Sequence, residues 1–111
     1  MIQMTTPRKL CDVQDVPLGE KKFFKLGDVE LVVINQGGKF YALQNWCTHE
    51  AGNLSEGELH GHTLKCPDHG AEFDIASGRV MLGPDGDDPS TIEPLRRFEV
   101  KAQGNELYIL A

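Results

Sequence analysis

Apolar and polar residues alternate over most of this chain, with a period of about two that predicts β-strands rather than helices. The alternating segments are short and rich in β-branched and aromatic residues, and glycine-containing turns at 27–28 and 37–38 separate them. The predicted strands of this kind are Lys9–Val13, Lys22–Leu26, Val29–Asn35, Lys39–Gln44, Arg96–Lys101 and Glu106–Leu110. The pattern therefore predicts an all-β fold.

The clearest alternation lies near the end of the chain. Phe98 and Val100 fall on one face of a predicted strand, which places them inward, and Gly104-Asn105 is typical of a hairpin turn into the last strand. No segment shows the sustained apolar stripe of a helix. A single helical turn near Asp15–Leu18 is the most that the pattern predicts.

The region from about residue 45 to residue 80 departs from this alternation. It carries the histidines and many of the glycines, with short predicted strands at Glu58–His60, Thr63–Lys65 and Glu72–Asp74. A region this small buries too little apolar surface to be stable alone. We therefore expect a bound metal to hold it together, and loss of the metal to unfold it first.

Length and composition predict one ordinary globular domain over residues 1–111. The 111 residues suffice for one core but not for two, and the hydrophobic and charged fractions, 40% and 25%, are typical of globular proteins. Residues 1–10 lack the apolar segment of a signal peptide, and no apolar run approaches the ~20 residues that span a bilayer. We therefore expect a cytoplasmic protein with no membrane partner.

The charge balance bears on partners as well. A net charge of -6 predicts repulsion from nucleic acids and from anionic membranes, so neither is an expected partner. Two interpretations of the acidic surface stay open. It is either a solvated face or a means of steering the protein toward a basic surface on another protein.

Two short segments, Cys47–His49 and Cys66–His69, carry the chemistry. Each supplies one thiolate and one imidazole, and each is followed closely by a glycine, Gly52 or Gly70. Two sulfur and two nitrogen ligands split between two tight loops indicate a metal site. Structural zinc is the rival interpretation, because Cys₂His₂ sets also bind Zn²⁺. Zinc fingers, however, usually pair cysteine with cysteine and histidine with histidine.

The order C-x-H, spacer, C-x-x-H-G resembles the motif of the Rieske ferredoxin family. The resemblance extends from about Leu10 to the end of the chain. Its further points are Gly37–Ala42 before the first loop, Phe73-Asp74 and Ser77–Val80 after the second, and the ends of a proline-containing loop at Gly83-Pro84 and Pro94-Leu95. The resemblance implies an antiparallel β-sandwich or barrel base, with a small cluster-binding subdomain, about 45–80, inserted between its strands.

The resemblance also implies a cofactor and a function. A [2Fe–2S] cluster would have one iron on Cys47 and Cys66 and the other on His49 and His69. The protein would be a monomeric one-electron carrier between a flavoprotein reductase and a terminal oxygenase. It would not itself be an enzyme, because the chain leaves no room for an oxygenase's second iron site. A small subunit of a larger reductase assembly is the alternative.

Four other candidate residues are assigned to the fold rather than to the cluster: Cys11, Trp46, His60 and His62. Cys11 lies in a predicted strand and is expected to be a small buried hydrophobic residue. His60 and His62 share one face of a short strand, which makes metal binding conceivable. A solvated turn is the preferred interpretation. Trp46 precedes Cys47 and is expected to pack the subdomain against the base.

The chain differs from respiratory Rieske proteins in ways that predict its redox behaviour. Those proteins have cysteines, which form a disulfide, at the positions of Gly52 and Asp68, and a serine and a tyrosine that donate to the cluster at the positions of Ala71 and Phe73. Neither Ala71 nor Phe73 has a hydroxyl. Each missing charge-assisted hydrogen bond removes on the order of 1.5–3 kcal/mol of stabilisation from the reduced site.

The proteins of this family use the proline-containing loop to cover one side of the cluster. In this chain the loop is long and acidic, with residues 85–93 between Pro84 and Pro94. Its charges would lie near the electron's route out of the protein. Two interpretations remain, a disordered solvating loop or a docking element for a redox partner.

We predict a midpoint potential near the low end of the Rieske range, about -150 mV, because the hydroxyl donors that favour the reduced state are missing. A redox titration of the purified protein measures this value directly. A midpoint above zero would contradict the prediction.

Overall fold

The computed structural model describes residues 7–48 and 52–110, and the all-β prediction is confirmed. The strands in these ranges are β1 Pro7–Asp12, β2 Lys21–Leu26, β3 Val29–Gln36, β4 Lys39–Gln44, β5 Glu58–His60, β6 Thr63–Lys65, β7 Glu72–Asp74, β8 Val80–Leu82, β9 Arg97–Gln103 and β10 Glu106–Leu110. Short 3₁₀ turns occur at Val13–Asp15, Leu54–Glu56, Pro84–Gly86 and Pro89–Thr91. Within the described ranges no helix is long and apolar enough to cross a membrane.

Six strands form an antiparallel sheet that folds back on itself. Their order is β1-β10-β9-β4-β3-β2, and β4 meets β9 through only two residue pairs, Ala42 with Phe98 and Leu43 with Arg97. This narrow junction lets the two halves of the sheet face each other. The buried residues between them, which we call the base core, are Cys11, Val16, Leu31, Val33, Ala42, Phe98, Leu107 and Ile109. Phe98 lies inward and Val100 packs against this core, as the alternation predicted.

The other four strands form a second sheet, in the order β5-β6-β7-β8. All four lie between β4 and β9 in the chain. A second buried cluster, which we call the site core, joins this sheet to the base. Its members are Val32, Ile34, Leu43, Cys47, Leu54, Leu64, Cys66, Ala71, Phe73, Ile75, Val80 and Leu95. Both predicted cysteine ligands therefore belong to the interface between the two sheets.

Strand β3 contributes to both cores. Leu31 and Val33 face the base core, whereas Val32 and Ile34 face the site core, and all four are fully buried. Successive side chains of a strand point to opposite faces, so a strand covered on both sides needs a continuous apolar run. Residues 31–34 supply that run.

The predicted elements need several corrections at their ends. The first strand begins and ends earlier than predicted, at Pro7–Asp12 instead of Lys9–Val13, because it pairs with β10 over that range. The helical turn predicted at Asp15–Leu18 lies instead at Val13–Asp15, where Asp12 and Asp15 form a capping box. Strand β8 was not predicted.

One glycine closes the second sheet against the base. Gly78 adopts a left-handed backbone conformation, with φ +80°, and its carbonyl accepts a hydrogen bond from the Leu95 N–H at 2.8 Å. A Cβ atom at this position would lie 2.2 Å from the Leu95 carbonyl oxygen. Only glycine satisfies both the conformation and the close approach.

We expect Gly78→Ala to lower the free energy of unfolding by about 2–5 kcal/mol, from left-handed strain together with the backbone clash. Gly104→Ala is the matched control, because Gly104 also has a positive φ, +60°, but has nothing within 4 Å of the point where a Cβ atom would lie. The control should cost only the strain, about 1–2 kcal/mol. Denaturant unfolding followed by circular dichroism compares the two variants. Equal losses of stability would show that the contact with Leu95 contributes nothing.

Candidate metal centre

The two motif loops close in the same way. In the first, the Cys47 N–H donates to the Gly52 carbonyl at 2.9 Å, and in the second the Cys66 N–H donates to the Ala71 carbonyl at 2.8 Å. Each loop thus begins at its cysteine and is closed by a backbone hydrogen bond across the same number of residues. The histidine is the third residue of one loop and the fourth of the other. The sequence predicted both loops but not their equal lengths.

A buried amide anchors the first loop where it leaves the base. The Asn45 side chain donates to the Asn53 side-chain oxygen at 3.0 Å and accepts from the Ser55 N–H at 3.1 Å. Trp46 and Asn53 form an isolated β-bridge across the loop. Because Asn45 is fully buried, these partners are what make its burial tolerable. The predicted ligand His49 lies outside the described residues.

The second loop joins β6 to β7 and carries His69 at a strained position. His69 has φ +68° and Gly70 has φ +72°, so two successive residues adopt the left-handed conformation. Glycine does so at little cost, whereas histidine does not. Non-glycine residues in this conformation concentrate at functional sites. The His69 side chain is 44% exposed, so its ring reaches the protein surface.

The two cysteine sulfurs are buried beside each other. Cys47 and Cys66 are 4% and 2% exposed, and their side chains are hydrogen-bonded. Burial, with a smaller contribution from Cys47, raises the pKa of the Cys66 thiol to about 12, although the Asp68 N–H, which donates to the sulfur, opposes this rise. Two adjacent buried thiolates need a compensating cation, which a bound iron would supply. The donor set therefore fits a cluster in which one iron takes both cysteines.

Gly52 brings the two loops into direct contact. A Cβ atom at Gly52 would lie 2.6 Å from the Cys66 sulfur and 3.1 Å from the Asp68 side-chain oxygen Oδ2. Gly52 and Asp68 stand at the positions where respiratory Rieske proteins carry their disulfide. In this chain the two positions are also neighbours, and the absence of a side chain at Gly52 leaves the space that the Cys66 sulfur occupies.

The proline-containing loop contacts both motif loops. Thr48 Oγ1 donates to the Glu93 carbonyl at 2.5 Å, and the Asp85 N–H donates to the His69 carbonyl at 2.6 Å. Two 3₁₀ turns, Pro84–Gly86 and Pro89–Thr91, shape the loop. Hydrogen bonds at both ends thus give residues 85–93 a defined path over the motif loops, although most of them are exposed to solvent. Whether the loop serves solvation or partner docking stays a prediction. Sequence reasoning did not find the contacts of Thr48 and Asp85, whose partners are distant in the chain.

Ala71 and Phe73 lie in the site core together with both cysteines and are fully buried. Neither carries a hydroxyl to donate to a cluster. Their packing role is thus clear, and it is compatible with the expected low potential.

The remaining candidate residues belong to the fold or its surface. Cys11 is 8% exposed, and burial raises the pKa of its thiol to about 11, so the prediction of a buried hydrophobic residue is confirmed. His60 is exposed and pairs with Glu58 at 2.8 Å, and His62 lies edge-on to the Tyr41 ring. Both histidines lie at a surface turn, in agreement with the preferred interpretation.

Trp46 contacts the base at its edge. Its ring lies edge-on to the Phe23 ring, with centroids 6.3 Å apart, and its Nε1 donates to the Glu30 carboxylate at 2.7 Å. Phe23 and Glu30 belong to β2 and β3, so the expected packing of Trp46 against the base is confirmed. The ring stays 39% exposed.

Residues 6–101 match the Rieske [2Fe-2S] domain, which is most of the chain. The chain belongs to this family, and its cofactor is a [2Fe–2S] cluster. The expected resemblance is thereby confirmed, and the match favours a [2Fe–2S] cluster over structural zinc.

Relatives with the same domain are ferredoxins. The chain is 34% identical to ferredoxin CarAc of Metapseudomonas resinovorans, over 91% of this chain and 90% of that protein. It is also 34% identical to the ferredoxin component of biphenyl 2,3-dioxygenase from Rhodococcus jostii, over 91% and 89%. These relatives are electron-transfer components, which agrees with the prediction that this chain is a carrier and not an enzyme.

Solved structures give the same result. The Sphingomonas yanoikuyae B1 ferredoxin superimposes with a TM-score of 0.81 at 27% identity, covering 96% of this chain and 99% of that one. A chain from the complex of reduced oxygenase and oxidized ferredoxin in carbazole 1,9a-dioxygenase gives a TM-score of 0.79 at 30% identity, with 96% and 94% covered.

We expect Gly52→Ala to reduce the iron and sulfide bound per chain, because the added methyl group would occupy the space of the Cys66 sulfur. Gly61→Ala is the control, since Gly61 lies in the turn between β5 and β6 with nothing within 4 Å of the point where a Cβ atom would lie. Its φ of +59° means that the control tests whether backbone strain alone lowers the cluster content. Iron and acid-labile sulfide are measured on freshly purified proteins. Full cluster content in Gly52→Ala would contradict the assignment of this contact.

Proposed function

We propose that this protein is a one-electron carrier of a multicomponent oxygenase system, taking electrons from a flavoprotein reductase and delivering them to a terminal oxygenase. The bound cluster supplies the chemistry, since it gains and loses one electron without making or breaking a bond to substrate. The relatives named above are ferredoxin components of dioxygenases, and one similar structure comes from a complex of ferredoxin with its oxygenase. The roles of these relatives support the proposal.

We assign the cluster to four residues. Cys47 and Cys66 would bind one iron, and His49 and His69 the other, through one ring nitrogen each. The observation that carries this assignment is the contrast between the buried, hydrogen-bonded sulfurs and the exposed His69 ring. Buried thiolates hold the cluster away from water, while an imidazole at the surface gives electrons a short route to a docked protein.

The matching loop closures support the same assignment. Each cysteine begins a loop that its own N–H closes, so the backbone of the folded loop restrains the position of the sulfur. His69 is fixed separately, through its carbonyl, by the proline-containing loop. Ligands restrained in this way in the loaded protein would move little between the oxidised and reduced states, which favours rapid electron transfer.

We further propose a single Rieske domain over residues 1–111, with the cluster-binding subdomain of about 45–80 inserted in the base. The position of β5–β8 between β4 and β9 supports this division. A monomeric protein located in the cytoplasm fits a mobile carrier. The alternative, a small subunit of a larger reductase assembly, has no observation in its favour, because the matched relatives are ferredoxins over nearly their full lengths.

The experiment that tests the function is electron paramagnetic resonance of the dithionite-reduced protein. Mixed imidazole and thiolate ligation predicts an average g value of about 1.91, lower than that of a cluster with four cysteine ligands, with two irons and two sulfides per chain. A colourless zinc protein, or a signal typical of four cysteine ligands, would contradict the proposal.

The four histidines provide their own controls. Replacing His49 or His69 with alanine should abolish this signal or the cluster itself, because each removes an iron ligand. Replacing His60 or His62 should leave the signal unchanged, since both lie at a surface turn. A signal that survives loss of His69 would show that the ligand assignment is wrong.

A further inference from the structure

The tip of the proline-containing loop makes an unusual contact with the second motif loop. Among the residues that the structure describes, the non-glycine residues with positive φ are His69, at +68°, and Asp85, at +55°. These two residues touch. The Asp85 N–H donates to the His69 carbonyl at 2.6 Å, and the Asp85 carboxylate lies 3.4 Å from His69 Nδ1. Two strained residues, distant in the chain, thus meet at one point of the site.

The loop itself holds Asp85 at this point. The Gly83 N–H donates to the Asp87 carbonyl at 2.8 Å, and the Asp87 N–H donates back to the Pro84 carbonyl at 3.0 Å. A Cβ atom at Gly83 would lie 2.7 Å from the Asp88 carbonyl oxygen, so the turn is closed without spare space. The turn therefore fixes the backbone of Asp85 beside His69. Its carboxylate is 72% exposed and is not needed to fill a cavity.

We infer that the negative charge of the Asp85 carboxylate, held beside the His69 ring, lowers the redox potential of the cluster. The inference rests on the proposed function, in which His69 is an iron ligand. Reduction adds one electron, and hence one negative charge, to the iron site, and no bond to Asp85 forms or breaks. A carboxylate beside the ligand ring raises the energy of the reduced state more than that of the oxidised state. The hydrogen bond from the Asp85 N–H to the His69 carbonyl does not involve the ring, so it can hold the charge near the ligand when a ring nitrogen binds iron.

The geometry separates Asp85 from the other acidic residues of its loop. The Asp87 side chain makes no hydrogen bond or ion pair with any described residue, and the Asp88 side chain accepts from the Ser90 N–H at 2.8 Å, away from the motif loops. Asp68 lies beside the site as well, but on the motif loop itself, against Gly52. Within the proline-containing loop, the carboxylate that contacts the described motif histidine is that of Asp85.

The test compares the midpoint potentials of the loaded Asp85→Asn and Asp87→Asn variants with that of the original protein. Asparagine tolerates the left-handed conformation and keeps the backbone N–H, so Asp85→Asn removes only the charge. Its potential should shift in the positive direction, and by clearly more than that of Asp87→Asn, which removes the same charge from the same loop. Asp85→Gly, which also suits the backbone, should give the same shift as Asp85→Asn.

Salt distinguishes a charge effect from a rearranged loop. Because the carboxylate is exposed, the shift in Asp85→Asn should shrink as the ionic strength rises from about 0.01 M to about 1 M, where the Debye length falls from about 30 Å to about 3 Å. A shift that ignores salt, an equal shift in both variants, or no shift at all would each overturn the inference. These outcomes presuppose a Rieske-type signal in the original protein. Its absence would instead overturn the proposed function.

Discussion

The contact between the sulfurs of Cys47 and Cys66 is the constraint on which the rest of the site depends. Two thiols buried side by side resist ionisation, as the raised pKa of Cys66 shows, so the pair becomes a pair of thiolates only when a cation is bound. Two neighbouring features support this arrangement of the sulfurs. Both loops are closed by their own cysteine N–H groups, and Gly52 leaves the space in which the Cys66 sulfur lies.

The site is attached to the base through a shared strand rather than through a linker. Strand β3 sends Val32 and Ile34 to the site core and Leu31 and Val33 to the base core. The cysteines are themselves members of the site core, so the proposed metal ligands belong to the same buried cluster as Val32 and Ile34 of β3. A region too small to fold alone is thereby supported by a buried strand of the base, and close packing would fix the position of a bound cluster relative to the base.

Much of this could be predicted from the sequence, for identifiable reasons. The strands at Lys39–Gln44 and Glu106–Leu110 were predicted with the bounds observed, because each follows a glycine-containing turn, at 37–38 or 104–105. The spacing of cysteine and histidine indicated the cofactor, since ligands on tight loops leave a local signature. The double burial of β3 could not be separated from an ordinary apolar run. The contacts of Thr48 with Glu93 and of Asp85 with His69 left no local trace, because they join segments that are distant in the chain.

The His69 ring is exposed, whereas the neighbouring cysteine sulfurs are buried, and this difference affects how redox partners bind. If electrons enter and leave through the exposed edge of the imidazole ring, the electron donor and the electron acceptor must bind to the same small surface. They therefore compete for it. The carrier has to dissociate from one redox partner before it can bind the other, so a long residence time in either complex would slow turnover. Brief, modest-sized encounters, typical of redox shuttles, are therefore what this architecture favours.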